Sequence, residues 1–442
     1  MTPTRRDFLK TSAATGLGAA VTNRLPSFLS GGSPNERVVV AAIGLNGRGG
    51  VHAQNFGRQM KNASIAYLCD VDSTVLARAM KSSASDARAP KAIGDFRRAL
   101  DDKDVDAVSI ATPDHWHTPM AILAMKAGKH VYLEKPSSQN PREAELLDAA
   151  QRKYNRVVQL GTQQRSSPRT IEALAAIKDG IVGTPYLTRA WYANNRVGIG
   201  RGKQVPVPSN LDYELWQGPA PRTPYHDNYI HYNWHWFRRW GTGEIHNNGT
   251  HEIDIARLTL GVGYPTSVTS SGSRFHYADD WEFPDSQEAT FEFEGGTRII
   301  WTGESCNGTN TFDRSRGTAT YGTKGTLVLD RDGYVIYDLK GKVVKQNIEP
   351  KRGNGIDVVG DDAATLRHME NFVGAVRAGD ALRAPVSDGV KTNIVCHLGN
   401  IAQFTGRRLN VDSTNGHVTG DERAMDYWIR EYEPGWAPTV SP

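Results

Sequence analysis

The sequence predicts two α/β domains. The first is a doubly wound parallel sheet, and the second is an α/β domain with an open, mainly antiparallel sheet. Three observations lead to this. Apolar strand runs alternate with helical segments from Val38 to Leu160, the pattern of parallel strands joined by right-handed crossovers. A Gly-rich turn separates the first strand from the first helix. After Gly161 the rhythm changes to short strand-like runs divided by turn signals. At 442 residues the chain is also too long for one ordinary core.

Residues 1–35 are read as an export signal and linker. Thr4-Arg5-Arg6-Asp7-Phe8-Leu9-Lys10 has the twin-arginine pattern, and Thr11 to Val21 is a small-residue, mildly apolar stretch. That stretch is too short and too weakly apolar for a stable membrane anchor. Such signals are receptor-read addresses, so the twin-arginine translocase is the expected partner and a periplasmic or extracytoplasmic location follows. Ser27 to Asn35 is a linker by composition. The net charge of +4 is small for this length and argues against nucleic acid as a partner. Cys69, Cys306 and Cys396 lie far apart and include no C-x-x-C, which gives no zinc site and no disulfide framework; all three are expected to be buried thiols.

The first domain is expected over residues 36–161. Val38 to Ile43 is an unbroken apolar strand, as expected where both faces are covered. Arg48 to Met60 reads as a helix and Ser64 to Cys69 as the second strand. Ala107 to Ala111 pairs with a helix over Pro119 to Ala127, His130 to Leu133 with one over Pro141 to Tyr154, and Val157 to Leu160 closes the set. The second domain is expected over residues 162–442. Pro168 to Asp179 is a helix with Ser167 as cap and Pro168 in its first turn. Tyr186 to Tyr192 is a strand. Ala193 to Trp240 is a long Gly, Pro and aromatic region, of the kind that is functional or wraps a neighbour. His246 to Leu260 is a helix stopped by Gly261. Strands follow at Ser267 to Ser271, Glu288 to Glu294, Arg298 to Thr302, Thr326 to Leu329 and Tyr334 to Tyr337, then helices at Ala363 to Ala378 and Asp388 to Phe404.

Gly44-Leu45-Asn46-Gly47-Arg48-Gly49 lies between strand and helix, where glycines let backbone N–H groups approach a pyrophosphate. Asn46 stands at the expected middle glycine, and asparagine tolerates left-handed backbone angles. Asp70 ends the second strand, where an acid accepts hydrogen bonds from ribose hydroxyls. A carboxylate there repels a 2′-phosphate and Val71 supplies no cation, which favours NAD over NADP. Ala111-Thr112-Pro113-Asp114-His115-Trp116-His117 is read as a loop on the same sheet edge, touching the cofactor; for His115 and His117, packing or solvation is the open alternative. His130-Val131-Tyr132-Leu133-Glu134-Lys135-Pro136 ends an apolar strand with a lysine at the ligand-bearing edge.

These segments, with Gly161-Thr162-Gln163-Gln164-Arg165 and Gly241 to Asp254, resemble the glucose–fructose oxidoreductase / inositol dehydrogenase / rhizopine-catabolism family (Gfo/Idh/MocA) from Arg37 to about Arg408. The resemblance implies a Rossmann domain paired with an α/β domain whose open sheet faces the cleft. It also implies a homo-oligomer, and oxidation of sugars, polyols or glycosides with a nicotinamide cofactor. Lys135 matches the lysine that contacts the reacting hydroxyl and the cofactor, and His251 the histidine of proton transfer. The family often carries an acid four residues before that histidine. Here it is Asn247, which bonds a hydroxyl but cannot take its proton. Asp254 can share a helix face with His251, to orient the imidazole or merely to cap local structure.

The expected cofactor contacts are Gly44, Asn46, Gly47, Arg48, Gly49, Asp70, Thr112, Pro113, His117, Glu134 and Lys135. The expected substrate contacts are Gln163, Arg165, Tyr192, Trp234, His235, Asn247 and His251. Aromatic residues crowd Trp191 to Trp240, interleaved with His226, His231 and His235. Aromatic faces stack on pyranose C–H faces; packing at an interface is the alternative. His231 and His235 are spaced like metal ligands but lack a carboxylate-rich partner motif, so no metal is expected. An exported enzyme should arrive with its cofactor already bound. Two enzymatic outcomes follow: net oxidation of a secondary hydroxyl, or a redox-neutral hydrolase or lyase cycle through a transient keto-sugar. A third is a non-catalytic sugar-binding protein.

Overall fold

A computed structural model describes residues 37–83, 89–349 and 363–440. The signal and the linker lie outside the described residues. The first sheet has six parallel strands in the order β3-β2-β1-β4-β5-β6. Its strands are β1 Val38–Ile43, β2 Ala63–Cys69, β3 Lys91–Ile93, β4 Ala107–Ile110, β5 His130–Leu133 and β6 Val158–Leu160. Helices α1 Arg48–Gln54, α2 Ser73–Ser82, α3 Arg97–Asp101, α4 Asp114–Lys126 and α5 Pro141–Tyr154 form the crossovers. This strand order reverses between β1 and β4, which opens the ligand crevice at their C-terminal ends.

Several boundaries differ from expectation for local reasons. The first helix changes pitch at Asn55, whose carbonyl accepts the Met60 N–H at 3.1 Å in a π-turn. β3 escaped the sequence pattern because two of its three residues are exposed at the sheet edge. α2 starts on Asp72, whose carboxylate accepts the Thr74 and Val75 N–H groups. α4 begins at Asp114, so Asp114 to His117 form its first turn and not a loop. Pro119 sits inside this helix. It has no N–H to give the His115 carbonyl, which accepts instead from Arg430 Nη2 at 2.8 Å.

The second sheet has ten strands, ordered β14-β13-β12-β11-β7-β10-β9-β8-β15-β16. They are β7 Pro185–Ala193, β8 Ser267–Ser273, β9 Ser286–Glu292, β10 Arg298–Glu304, β11 Arg316–Gly322, β12 Gly325–Leu329, β13 Gly333–Asp338, β14 Val343–Ile348, β15 Leu409–Val411 and β16 Val418–Thr419. Only β7 and β10 pair in parallel; the other pairs are antiparallel. Helix α6 Pro168–Lys178 follows Ser167, whose side chain makes no cap bond. The expected loop Ala193 to Trp240 contains the short α7 Tyr213–Gln217 and a 3₁₀ turn at Asn233–Trp236.

The helix expected from His246 to Leu260 is two helices, α8 Glu244–Asn247 and α9 Gly249–Leu260, broken at Asn248. α9 lies along β7 at the middle of the sheet. α10 Ala363–Ala378 returns to the first domain. Its Met369, Phe372 and Val373 pack with Val38, Val40, Leu68 and Tyr132. α11 Val386–Thr405 runs between α5 and β8 and joins the two domains, and α12 Glu422–Met425 follows. Cys69 and Cys396 are buried as expected, whereas Cys306 is only partly so. Among the described residues no helix is long and apolar enough to cross a membrane.

Candidate functional site

The turn after β1 is built for close approach. Gly44 has φ +76°, and a Cβ there would lie 2.7 Å from the Ala111 carbonyl oxygen. A Cβ on Gly49 would sit 1.6 Å from the Gly44 oxygen. Gly47, at φ +70°, precedes α1, whose first turn carries no acid. Asp70 accepts the Leu45 N–H at 2.7 Å through Oδ2 and the Asp72 N–H at 2.9 Å through Oδ1. Each oxygen keeps a further acceptor position. Burial raises the Asp70 pKa against the pull of those two N–H groups. These features fit a dinucleotide: glycines where side chains would fill the cradle, and an acid at the tip of β2. Asn46 is exposed, and its Oδ1 accepts from Arg78 Nη2 at 2.7 Å, so a cation does stand at this turn.

Glu134, at the tip of β5, is a buried hub. Its Oε1 accepts from Arg48 Nε at 3.1 Å and Gln163 Nε2 at 2.7 Å and meets His52 Nε2 at 3.1 Å; its Oε2 accepts from the Lys135 N–H at 3.1 Å. Burial alone would raise its pKa, but Arg48 and His52 outweigh it and hold the group well below the ordinary value. Gly161 makes room, since a Cβ there would lie 2.8 Å from this carboxylate. Arg48 and Gln163, expected to touch cofactor and substrate, thus brace the residue preceding Lys135.

Lys135 Nζ donates to the Asn247 carbonyl at 2.6 Å and lies 3.4 Å from Asn247 Oδ1. Burial lowers its pKa, opposed by Glu134 and Asp114. His251 lies in the first turn of α9, is 6% exposed, and its ring has no hydrogen-bond partner among the described residues. Burial, then the positive Arg331, Lys135 and Arg316, push its pKa well below 6.5, so the imidazole is neutral. An acid lies three residues before Asn247, and it is held by other partners. Glu244, 4% exposed, accepts from Asn248 Nδ2 at 2.5 Å, Arg196 Nε at 2.9 Å and Ser305 Oγ at 3.0 Å, with Asn247 Nδ2 at 3.5 Å. Sequence reasoning passed over it, although an i, i+3 acid shares the face of Asn247.

Asp254 does not orient His251. It accepts from Arg165 Nε at 2.6 Å and Nη2 at 2.5 Å, and from Thr392 Oγ1 at 2.8 Å. Arg165 Nη2 also reaches Asp388 at 2.8 Å. The expected substrate role of Arg165 is therefore corrected: it is a buried brace between α9 and α11. His117 is likewise a brace, with Nδ1 2.5 Å from the Pro136 carbonyl and Nε2 2.8 Å from that of Thr112. His115 packs behind it, its Nε2 donating to the Trp216 carbonyl at 3.0 Å.

The aromatic region divides. Trp191 packs with Ala319 and Val328, and Trp216, Tyr225, Trp234 and Trp240 share a separate core cluster. His235 donates through Nδ1 to the Tyr232 carbonyl at 2.6 Å and stacks on Trp234 at 3.6 Å, leaving Nε2 as its acceptor. Burial lowers its pKa well below 6.5, with Lys135 and Arg196 adding to this. The Tyr192 hydroxyl accepts from Asn194 Nδ2 at 2.6 Å and Arg196 Nη2 at 3.3 Å. Arg196 lies over the rings of Tyr192, Tyr232 and Trp236. His231 meets Asp72 Oδ2 at 3.1 Å, so it does not converge with His235.

Comparison with known proteins agrees with this two-domain fold. Residues 38–162 match the oxidoreductase family, NAD-binding Rossmann fold, and residues 188–436 match the oxidoreductase family, C-terminal alpha/beta domain. Residues 2–22 match the twin-arginine translocation pathway signal sequence, which directs export to the periplasm or extracytoplasmic space. The uncharacterized oxidoreductase YrbE of Bacillus subtilis is 26% identical over 297 residues, 67% of this chain and 74% of that protein. A glycosyl hydrolase family 109 protein of Solibacter usitatus is 34% identical over 168 residues, 35% of this chain but only 38% of its own length. In fold the chain is similar to the aldose-aldose oxidoreductase of Caulobacter crescentus, at 19% identity and TM-score 0.65 over 85% of this chain and 100% of that one. The two family matches cover both domains, and the chain belongs to the Gfo/Idh/MocA oxidoreductase family.

Proposed function

We propose that the protein oxidises a secondary hydroxyl of a sugar, polyol or glycoside, with NAD held tightly. One observation carries this: Lys135, Asn247 and the neutral His251 stand together at the ligand-bearing tip of β5. Gly44, Asn46, Gly47, Gly49, Asp70, Thr112 and Pro113 would hold the dinucleotide, and the Asp70 carboxylate supports NAD over NADP. The nicotinamide, when bound, supplies the hydride acceptor. Lys135 stabilises the alkoxide as it forms. His251, neutral and with no competing hydrogen bond among the described residues, takes the hydroxyl proton. Asn247 bonds a hydroxyl and holds Lys135 in place. The Tyr192 hydroxyl and His235 Nε2 offer polar edges to the rest of the sugar, while Trp234, covered by His235 within the core cluster, backs the imidazole. The open face of the second sheet suits a homo-oligomer, which sedimentation tests.

A second reading is a redox-neutral glycosidase or lyase. The 34% identity to a glycosyl hydrolase family 109 protein favours it, as does an exported site remote from cytoplasmic NAD. A panel of glycosides and free sugars, assayed without added cofactor, separates the readings. Net oxidised product with bound NADH supports the first, and sugar release without NADH supports the second. No turnover of any of them by nucleotide-loaded protein defeats both and leaves a sugar-binding protein.

A further inference from the structure

The segment between β7 and α8 does not stay with its own domain. It crosses to the turn after β2. Leu211 bridges Asp72, the Ser73 N–H donates to the Asn210 carbonyl at 2.8 Å, and the Asp212 N–H donates to the Val71 carbonyl at 3.0 Å. Asn210 Nδ2 donates to Asp72 Oδ1 at 2.9 Å, and His231 Nε2 meets Asp72 Oδ2 at 3.1 Å. Val71 packs against the cluster of Leu211, Tyr225 and Trp240. Val71 and Asp72 immediately follow Asp70, so these contacts close over the strand tip where a doubly wound sheet seats the adenosine half of a dinucleotide. Four residues past His231, the same segment reaches α8: the His235 carbonyl accepts the Gly243 N–H at 3.2 Å, and Gly243 caps the helix that carries Asn247, the partner of Lys135. One continuous piece of the second domain therefore borders both ends of the crevice.

We propose that Asn210 and His231 are positioning residues that latch this segment over the adenosine half of the cofactor and retain it. The proposal rests on the functional reading above and deepens it. The latch consists of protein–protein contacts alone, so it closes whether or not a nucleotide is in place. Loosening it quickens capture and release together, and the equilibrium affinity moves less than either rate.

The test follows nucleotide fluorescence in the purified full-length protein, with release measured by chasing bound NADH with excess NAD and capture by rapid mixing. Release should quicken about threefold in His231→Ala and in Asn210→Ala, and about tenfold in the double variant, with capture rising in parallel. His231→Gln should recover part of the loss, since its amide can still donate to Asp72. Both side chains are at least partly exposed, and an unchanged thermal midpoint confirms that the variants fold. Unchanged release in the folded double variant overturns the latch. Faster release with unchanged capture also overturns it, because that marks an ordinary binding contact. Wild-type protein that binds no dinucleotide overturns the functional reading itself, and the latch with it.

Discussion

Lys135 Nζ and the backbone carbonyl of Asn247 meet at 2.6 Å, joining the tip of β5 in the first domain to the short α8 in the second. The lysine is thus aimed from both sides: Glu134 fixes its backbone N–H, and Asn247 fixes its ammonium. A carbonyl acceptor holds the ammonium without neutralising it, so the charge stays available to a developing alkoxide. Lys135→Ala should lower kcat about a hundred- to a thousandfold while the protein keeps its bound nucleotide. Initial rates and nucleotide content, measured on the same preparation, check this.

His251 should leave a distinct mark on the pH profile. Burial and three neighbouring cations depress its pKa well below 6.5. A base works when deprotonated, so this one remains competent as pH falls through 6.5 and fails only in stronger acid. The acid limb of kcat/KM should therefore lie below the ordinary histidine range. His251→Gln, which keeps a polar side chain but no base, should abolish that limb and lower kcat about a hundredfold or more. An acid limb centred on 6.5 counts against the assignment.

Asn247 is where this chain departs from its family's frequent acid. Asn247→Asp would restore a carboxyl, but close to Glu244, whose Oε1 lies 3.5 Å from Asn247 Nδ2. Two carboxyls at that distance disfavour joint ionisation and raise one pKa. The variant should therefore show an extra ionisation above the ordinary carboxylate range in its pH–rate profile, and Glu244→Gln in the same background should move it back down.

Much of this was legible in the chain because the signals were local. The parallel sheet and the glycine turn are each announced by residues within one strand, turn or helix, and Asp70, Lys135 and His251 stand in short motifs shared with the family. What escaped depends on partners distant in sequence. The sequence reading starts α4 at Pro119, yet the helix begins at Asp114, and the His115 carbonyl that Pro119 leaves free is satisfied by Arg430, over three hundred residues away. β11, Arg-Gly-Thr-Ala-Thr-Tyr-Gly, lacks an apolar alternation, since small and threonine side chains fill both faces beside β7. Asp254 shares a helix with His251, but its partner Arg165 lies 89 residues back. Contacts of that kind have no trace in one sequence.

Arg165 offers a direct check on that correction. It is 6% exposed, and its guanidinium is shared between Asp254 and Asp388. Arg165→Met would leave Asp254 buried with Thr392 as its remaining side-chain hydrogen bond and no guanidinium paired directly with it. Removing one partner of a buried ion pair costs about 3–5 kcal/mol, so denaturant unfolding should report a loss of that order. KM of the surviving folded enzyme should stay near the wild-type value. A large rise in KM with unchanged stability would instead restore the substrate role.

Acid should unfold the protein through its buried histidines. Burial pushes the pKa of His115 and His397 down to about 3 and that of His368 to about 4, from 6.5. The hydrogen bonds of His368 suit the neutral ring: Nε2–H donates to the Leu160 carbonyl at 2.8 Å, and Nδ1 accepts from Ser166 Oγ at 2.7 Å. Above pH 6.5 both folded and unfolded chains hold these rings neutral, and the burial carries no proton-linked penalty. Below 6.5 the unfolded chain takes up protons that the folded one refuses. Stability then falls by about 1.4 kcal/mol per pH unit for each such ring until the folded pKa is reached. Unfolding free energy should be flat from pH 8 to about 7 with respect to these groups and drop steeply between about 6 and 4. His368→Gln, which can still donate to Leu160, should make that decline shallower; an unchanged slope would show that other groups drive it.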